Sequence, residues 1–322
     1  MFLLPPETAH RVVLKALTLF KSLYNRRYVL DKPIRVMGLD FPNRVGLAAG
    51  LDVNGEHIEA LSRLGFGFIE VGGVTPNAQP GNPSPWLFRI PEKSSLINRK
   101  NFKNKGIKNI VHNLQELKRS CIIGVNISKN EKTTPEHAIE DYVTCYRAVY
   151  EHVDYVVVNL SCPNTPSLRA LELGEGLHAT LSRLKAEQNE LAKKLGKYTC
   201  LAFKVSPDLS DEDLIHTADA LLTHKIDAVI ATNTTSRRPE VEGLRYANEK
   251  GGLSGSPLLL YSLPMIKKLH AHLGDRIPII GLGGIQSADD AQMMLDAGAS
   301  LVQIYTGLIY QGPGLIKDIA TN

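Results

Sequence analysis

From residue 34 onward the chain repeats one pattern: a short apolar run, then a segment with helical periodicity. The runs are Val45–Ala49, Phe66–Val71, Ile122–Ile127, Tyr155–Leu160, Cys200–Val205, Ala228–Thr232, Pro278–Leu282 and Leu301–Tyr305. Most are apolar nearly throughout, as strands covered on both faces should be. Helical stretches lie at about 54–64, 105–118, 136–151, 175–195, 211–224, 257–272, 287–296 and 308–320. Ser210 before Asp211-Glu-Asp213, and Ser287 before Ala288-Asp-Asp290, are plausible caps. Eight strand–helix pairs in order predict an α/β fold, a (β/α)8 TIM barrel, over residues 34–322. A doubly wound open sheet is the alternative, because counting strands does not prove closure. The 322 residues accommodate a barrel of about 250 as one unit.

Ahead of the barrel, residues 7–24 predict a helical extension, with a boundary near Pro33. Ala9, Val13, Ala16, Leu17, Phe20 and Tyr24 form one stripe at spacings of three and four, beside basic Arg11, Lys15 and Lys21. Such a helix either packs on its own domain or lies on a membrane face. No apolar run reaches the roughly 20 residues of a membrane span, and the first residues lack the form of a signal peptide. A net charge of +4 is too mild to argue for nucleic acid. The four cysteines, Cys121, Cys145, Cys162 and Cys200, match no metal spacing and suggest a reducing compartment.

In such a barrel the active site lies at the carboxyl ends of the strands. The tips supply Ala48-Ala-Gly-Leu-Asp52, Gly72-Gly-Val-Thr75, Asn126, Asn159 to Asn164, Lys204, Thr232-Asn-Thr-Thr235, Gly283-Gly284 and Tyr305-Thr-Gly307. Carboxylates and histidines are nearly absent, which disfavours a metal site or a glycosidase pair. Glycine turns after the last two strands suit a phosphate, while amides and a lysine suit a flat heteroaromatic ring with carbonyls. Together they fit flavin mononucleotide, FMN. Taken singly, Gly283-Gly284 reads as a tight turn, Lys204 as a snorkelling side chain and the asparagines as turn formers.

Longer phrases carry a resemblance. Phe41-Pro-Asn43 with Gly46-Leu-Ala-Ala-Gly-Leu-Asp52, Thr75-Pro76 with Gln79-Pro-Gly81, Leu96-Ile-Asn-Arg99, Asn159-Leu-Ser-Cys-Pro-Asn164, Ala231-Thr-Asn-Thr-Thr235, Gly251-Gly-Leu-Ser-Gly255 and Gly298-Ala-Ser-Leu-Val-Gln-Ile-Tyr305 resemble the dihydroorotate dehydrogenases over nearly the whole chain. Pro6-Glu-Thr-Ala-His10 resembles their membrane-associated, quinone-using class 2 branch. The resemblance implies oxidation of dihydroorotate to orotate in pyrimidine synthesis, with FMN as cofactor and a quinone acceptor near residues 1–33. It implies a peripheral place on the cytoplasmic face of an inner membrane, with a soluble cytoplasmic enzyme as the alternative. By position, Ala49, Gly50, Val53, Gly73, Asn126, Asn159, Lys204, Thr232, Gly255, Gly284, Tyr305 and Thr306 would surround FMN. Asn98, Arg99, Lys100, Asn101, Phe102, Asn159, Asn164, Asn233 and Thr234 would face the substrate.

Cys162 falls where the family places its base. Class 2 members usually carry serine there, and the soluble class 1 branch carries cysteine. A thiol, with a reference pKa of about 8.5, loses its proton more readily than a hydroxyl. Three further departures bear on the pocket. Val53 replaces a lysine that in the family reaches flavin and substrate carboxylate. The family's Asn-Arg-Met-Gly-Phe is here Asn98-Arg-Lys-Asn-Phe102, and Gly73 stands in place of a threonine. Either Lys100 supplies the missing cation and dihydroorotate is still oxidised, or the pocket has drifted toward another dihydropyrimidine, or a ligand-binding barrel has lost turnover.

Overall fold

The computed structural model describes residues 3–22, 32–118, 121–160, 171 and 173–322. The eight apolar runs supply the strands β3 (Val45–Leu47), β4 (Phe68–Val74), β7 (Ile122–Ile127), β8 (Tyr155–Asn159), β9 (Cys200–Val205), β10 (Ala228–Ala231), β12 (Ile279–Leu282) and β13 (Ala299–Ile304). They close into one barrel in that chain order, every pair parallel, with β13 returning to β3. Closure rules out the open-sheet alternative. It also fixes opposition: β9 lies across the barrel from β3.

Two-sided burial explains the apolar strands. One side chain set faces the surrounding helices, as with Ile69, Val71, Val125, Val156 and Phe203. The other fills the barrel, with Phe68, Tyr155, Val157, Ala202, Ile230 and Leu301. Large inward rings need small partners. Phe68 pairs in register with Gly46, and Tyr155 with Gly124. A β-carbon at either glycine would lie within 2.2 Å of the ring opposite, so only glycine lets these aromatics fill the interior without overpacking.

Helices follow the strands: α2 (Ile58–Ser62), α3 (Ile107–Gln115), α4 (Ala138–Val149), α5 (Gly174–Leu195), α6 (Asp211–Thr223), α7 (Leu259–Leu273) and α8 (Ala288–Asp296). Ser210 caps α6 by accepting from Asp213 N at 3.1 Å, and Ser287 with Asp290 forms a full capping box on α8. Two predicted helices differ. Residues 54–57 remain a turn, because buried Asp52 accepts from Glu56 N at 3.0 Å and His57 N at 2.7 Å. The stretch 308–320 divides into α9 (Thr306–Gln311) and α10 (Gly314–Thr321), broken where Gly312 takes φ +76° ahead of Pro313.

The periodic reading passes over two further pieces. A hairpin, β1 (Ile34–Val36) with β2 (Leu39–Phe41), stops the amino-terminal end of the barrel. Its Phe41 ring meets Phe68 edge-on at 5.2 Å, and Cys200 donates its thiol to Met37 O. Burial pushes the Cys200 thiol up to about 12, so it stays protonated and packs as an apolar group. At the other end, β5 (Leu87–Ile90), β6 (Ser95–Asn98) and β11 (Gly252–Gly255) form an antiparallel sheet over the mouth. Helix α1 (Pro6–Leu19) packs on α2 and β5, ending short of the predicted residue 24. Glu7 ties it down by accepting from Trp86 N at 2.6 Å and the Ser84 hydroxyl at 2.5 Å. Its other face leaves Val12, Leu19 and the adjoining Phe20 exposed. No helix among the described residues is long and apolar enough to cross a membrane.

Candidate active site

One cavity opens at the carboxyl ends of the strands, roofed by the β5–β6–β11 sheet and the loop after β6. Ala49, Gly50, Val53, Gly73, Asn126 and Asn159 line its β3–β8 side. Lys204, Thr232, Gly255, Gly284, Tyr305 and Thr306 line the rest. Asn98, Lys100, Asn101, Phe102, Asn233 and Thr234 also face it. Arg99 does not. Its guanidinium donates to Glu249 at 2.7 Å and Pro85 O at 3.0 Å, and it lies over the Phe88 ring. Neighbouring residues on a strand point to opposite faces, so with Asn98 turned inward Arg99 is turned outward. Cys162 and Asn164 lie outside the described residues.

The cavity floor is an ordered chain of carboxamides. Buried Glu70, on β4, accepts from Asn126 Nδ2 at 2.9 Å and from Gln303 Nε2 at 2.7 Å. A carboxylate only accepts, so Asn126 must turn its Nδ2 to Glu70 and its Oδ1 to the next residue. Asn126 Oδ1 accepts from Asn159 Nδ2 at 3.2 Å, Asn159 Oδ1 from Asn233 Nδ2 at 3.3 Å, and Asn233 Oδ1 from Thr234 N at 2.9 Å. One carboxylate thus sets the orientation of three amides, on β7, on β8 and in the turn after β10. Lys204 is 5% exposed at the tip of β9. Burial lowers its pKa, and the Glu70 carboxylate opposes that shift.

The loop after β6 is held in an unusual course. Asn101 and Phe102 take φ of +55° and +48°, a region that disfavours residues with a side chain. Carboxamides secure successive carbonyls there: Asn82 donates to Arg99 O at 2.7 Å, Gln79 to Asn101 O at 3.0 Å and Asn104 to Phe102 O at 2.6 Å. The result seats Phe102 against Gly73, where an added β-carbon would lie 2.7 Å from its ring. The glycine at 73 is therefore matched to its neighbour: the Phe102 ring fills the space that a side chain at 73 would occupy. The same loop carries Lys100 inward. Its Nζ donates to Gly50 O at 3.3 Å and lies 5.2 Å from the Trp86 ring centroid.

Glu70, Gln303, Gln79, Asn82 and Asn104 were not among the residues the sequence singled out. Glu70 and Gln303 are hidden inside runs that read as apolar. Gln79 and Gln303 belong to quoted phrases, but the aim of one at a backbone carbonyl and of the other at Glu70 depends on the tertiary fold.

The residues present suit a flavin. Gly284 sits with φ +98° where a β-carbon would come within 2.3 Å of Leu259 N, and Gly255 with φ +98° where one would come within 2.3 Å of Ser94 O, so bare backbone faces the late-strand end. Ser254 and Thr306 share a hydroxyl contact of 2.9 Å beside them. A buried lysine and ordered amides provide uncharged donors and acceptors plus one cation for a ring carrying carbonyls. Among the described residues no cluster of three or more His, Cys, Asp or Glu is placed to hold a metal.

A closed parallel barrel with this mouth belongs to the class of barrel flavin oxidoreductases. Residues 33–322 match the family model described as dihydroorotate dehydrogenase, and the chain belongs to that family. Similar proteins include the dihydroorotate dehydrogenase (quinone) of Vibrio parahaemolyticus, 51% identical over 325 residues, covering 100% of this chain and 97% of that one. The protein of the same description from Nitrosomonas europaea is 54% identical over 318 residues, covering 98% and 93%. Among solved structures, the Eimeria tenella enzyme crystallised with ferulenol superposes with a TM-score of 0.90 at 34% identity, covering 98% of this chain and 90% of that one.

Proposed function

We propose that the protein oxidises (S)-dihydroorotate to orotate, with FMN as its flavin and a quinone as electron acceptor, in de novo pyrimidine synthesis. The observation that carries this reading is the amide chain running from Glu70 to Thr234 beside Lys204. A planar pyrimidine with two carbonyls and a carboxylate needs donors and acceptors at fixed angles, and amides supply both without adding charge. Asn98, Asn159, Asn233 and Thr234 would orient that ring, and Asn164 would join them. Lys204, Thr232, Asn126 and the backbone of Ala49 and Gly50 would surround the flavin ring, with Gly255, Gly284 and Thr306 at its phosphate. A flavin held there would supply the acceptor for the C6 hydride. Cys162 would take the proton from C5, and general-base action of this kind is worth roughly 10²–10⁴ in rate.

The preceding segment, residues 1–33, would rest on the membrane from the cytoplasmic side and guide the quinone. In support, α1 leaves Val12 and Leu19 uncovered and is anchored next to the cavity roof through Glu7. A second reading, a soluble enzyme with another acceptor, rests on Cys162 alone. The test is anaerobic: purified protein should be yellow and should bleach on addition of dihydroorotate. Flavin that stays oxidised would remove dihydroorotate as substrate, and fumarate outpacing quinones in reoxidation would favour the second reading.

A further inference from the structure

We propose that Lys100 binds the electron acceptor, its ammonium meeting the quinone carbonyl oxygen at the α1 side of the cavity. The inference rests on the quinone reading above and assigns that acceptor a residue. Lys100 belongs to the roof loop, yet its Nζ reaches down to Gly50 O at 3.3 Å, at the tip of β3. The hydroxyl of Tyr305 approaches the same carbonyl at 3.4 Å. Two donors thus converge on the β3 wall, across the barrel from Lys204 on β9. Asn159 and Asn233, which would orient the pyrimidine, belong to the far arc of the barrel, on β8 and the turn after β10.

An ammonium has three N–H donors, and Gly50 O takes one. A half-buried cation with donors to spare gains from an acceptor that arrives beside it. Its surroundings match a quinone better than a second pyrimidine. The Trp86 ring gives an aromatic wall at 5.2 Å, and His10 of α1 is close enough for Lys100 to help keep its imidazole neutral. Helix α1 packs on β5, the strand after Trp86, and leaves Val12 and Leu19 exposed on its other face.

The facing charges set the working range. Burial lowers Lys100 to about 8; Asp52 opposes that shift and Lys103 adds to it. His10 is lowered to about 4 by burial, then by Lys100 and His57, so it is neutral near pH 7. Lys100 is therefore the cation below pH 8 and a neutral amine above it. Quinone gains two electrons and two protons, the same number that dihydroorotate gives up, so the exchange balances without another reactant. As the quinone C=O becomes C–OH, Lys100 stabilises charge arising on that oxygen and passes it one proton, which water returns to the amine.

Trp86 is the only tryptophan of the chain, so its emission reports a ligand beside Lys100. The test titrates the full-length holoenzyme with menadione and follows Trp86 quenching. It then measures menadione reoxidation of photoreduced holoenzyme by stopped flow. In Lys100→Met the quenching Kd should rise, and reoxidation should slow, by roughly tenfold, the value of one charge-assisted hydrogen bond. Lys100→Arg should restore both to within about threefold of the starting protein. Reoxidation should decline as pH rises through about 8, and the arginine variant should shift that decline upward. Unchanged quenching in Lys100→Met would overturn the proposal. So would a loss confined to orotate affinity, read from the flavin spectrum, since Lys100 would then serve the substrate carboxylate. Failure of the starting protein to bleach with dihydroorotate would count against the proposed activity alone, because neither menadione measurement uses that substrate.

Discussion

Glu70 touches no ligand-facing space of its own, yet it decides which way Asn126, Asn159 and Asn233 present their amides. Glu70→Gln would turn an NH2 toward one of the two donors that the carboxylate now accepts, and would strip Lys204 of its counter-charge. We expect a stability loss of about 1.5–3 kcal/mol by denaturant midpoint, together with a lower flavin content per chain. A variant equal to the starting protein in both would mean that the amide chain holds its direction without the carboxylate. Residues such as Asn126 and Lys204 were legible beforehand because a polar side chain ending an apolar strand stands out. Glu70 was not, since Phe68-Ile-Glu-Val71 reads as one more buried run and its partner Gln303 is 233 positions away. Arg99 misled for the opposite reason: it adjoins Asn98 in sequence but faces away from it in space.

Among the elements, α1 is secured by few ties, and one of them is sensitive to acid. His10 sits neutral against the barrel, its pKa lowered to about 4 mainly by burial. In the unfolded chain a histidine titrates near 6.5. The folded value is the lower one, so its contribution is present above pH 6.5 and is lost as pH falls toward 4. Proteolysis within residues 6–19 should therefore quicken between pH 7.5 and pH 5, and His10→Asn should flatten that dependence. An α1 equally protected at both values would mean that Glu7 and the apolar face suffice to hold it. The barrel strands were legible because eight runs of similar length repeat. The hairpin β1–β2 and the sheet β5–β6–β11 were not, because strands of three or four residues carry too little alternation to register.

Over the molecule as a whole, a net charge of +4 combines with uncovered apolar residues along α1. That pairing suits an anionic lipid surface. Co-sedimentation with vesicles containing phosphatidylglycerol should drop several-fold on Leu19→Glu with Phe20→Glu, and should weaken with salt, since the electrostatic share is screened. Binding that ignores both changes would place the contact elsewhere. The plug at the barrel's other end has its own consequence. With Phe41 wedged on Phe68, and Tyr155 filling the space beside Gly124, the interior is a cul-de-sac. Whatever enters must leave by the same doorway. Among the described residues, the departures from the family phrases, at positions 53, 73, 100 and 101, all line that doorway. A substitution at the threshold therefore acts on the ligand directly, while the sealed half, with no ligand to meet, has only its own packing to satisfy.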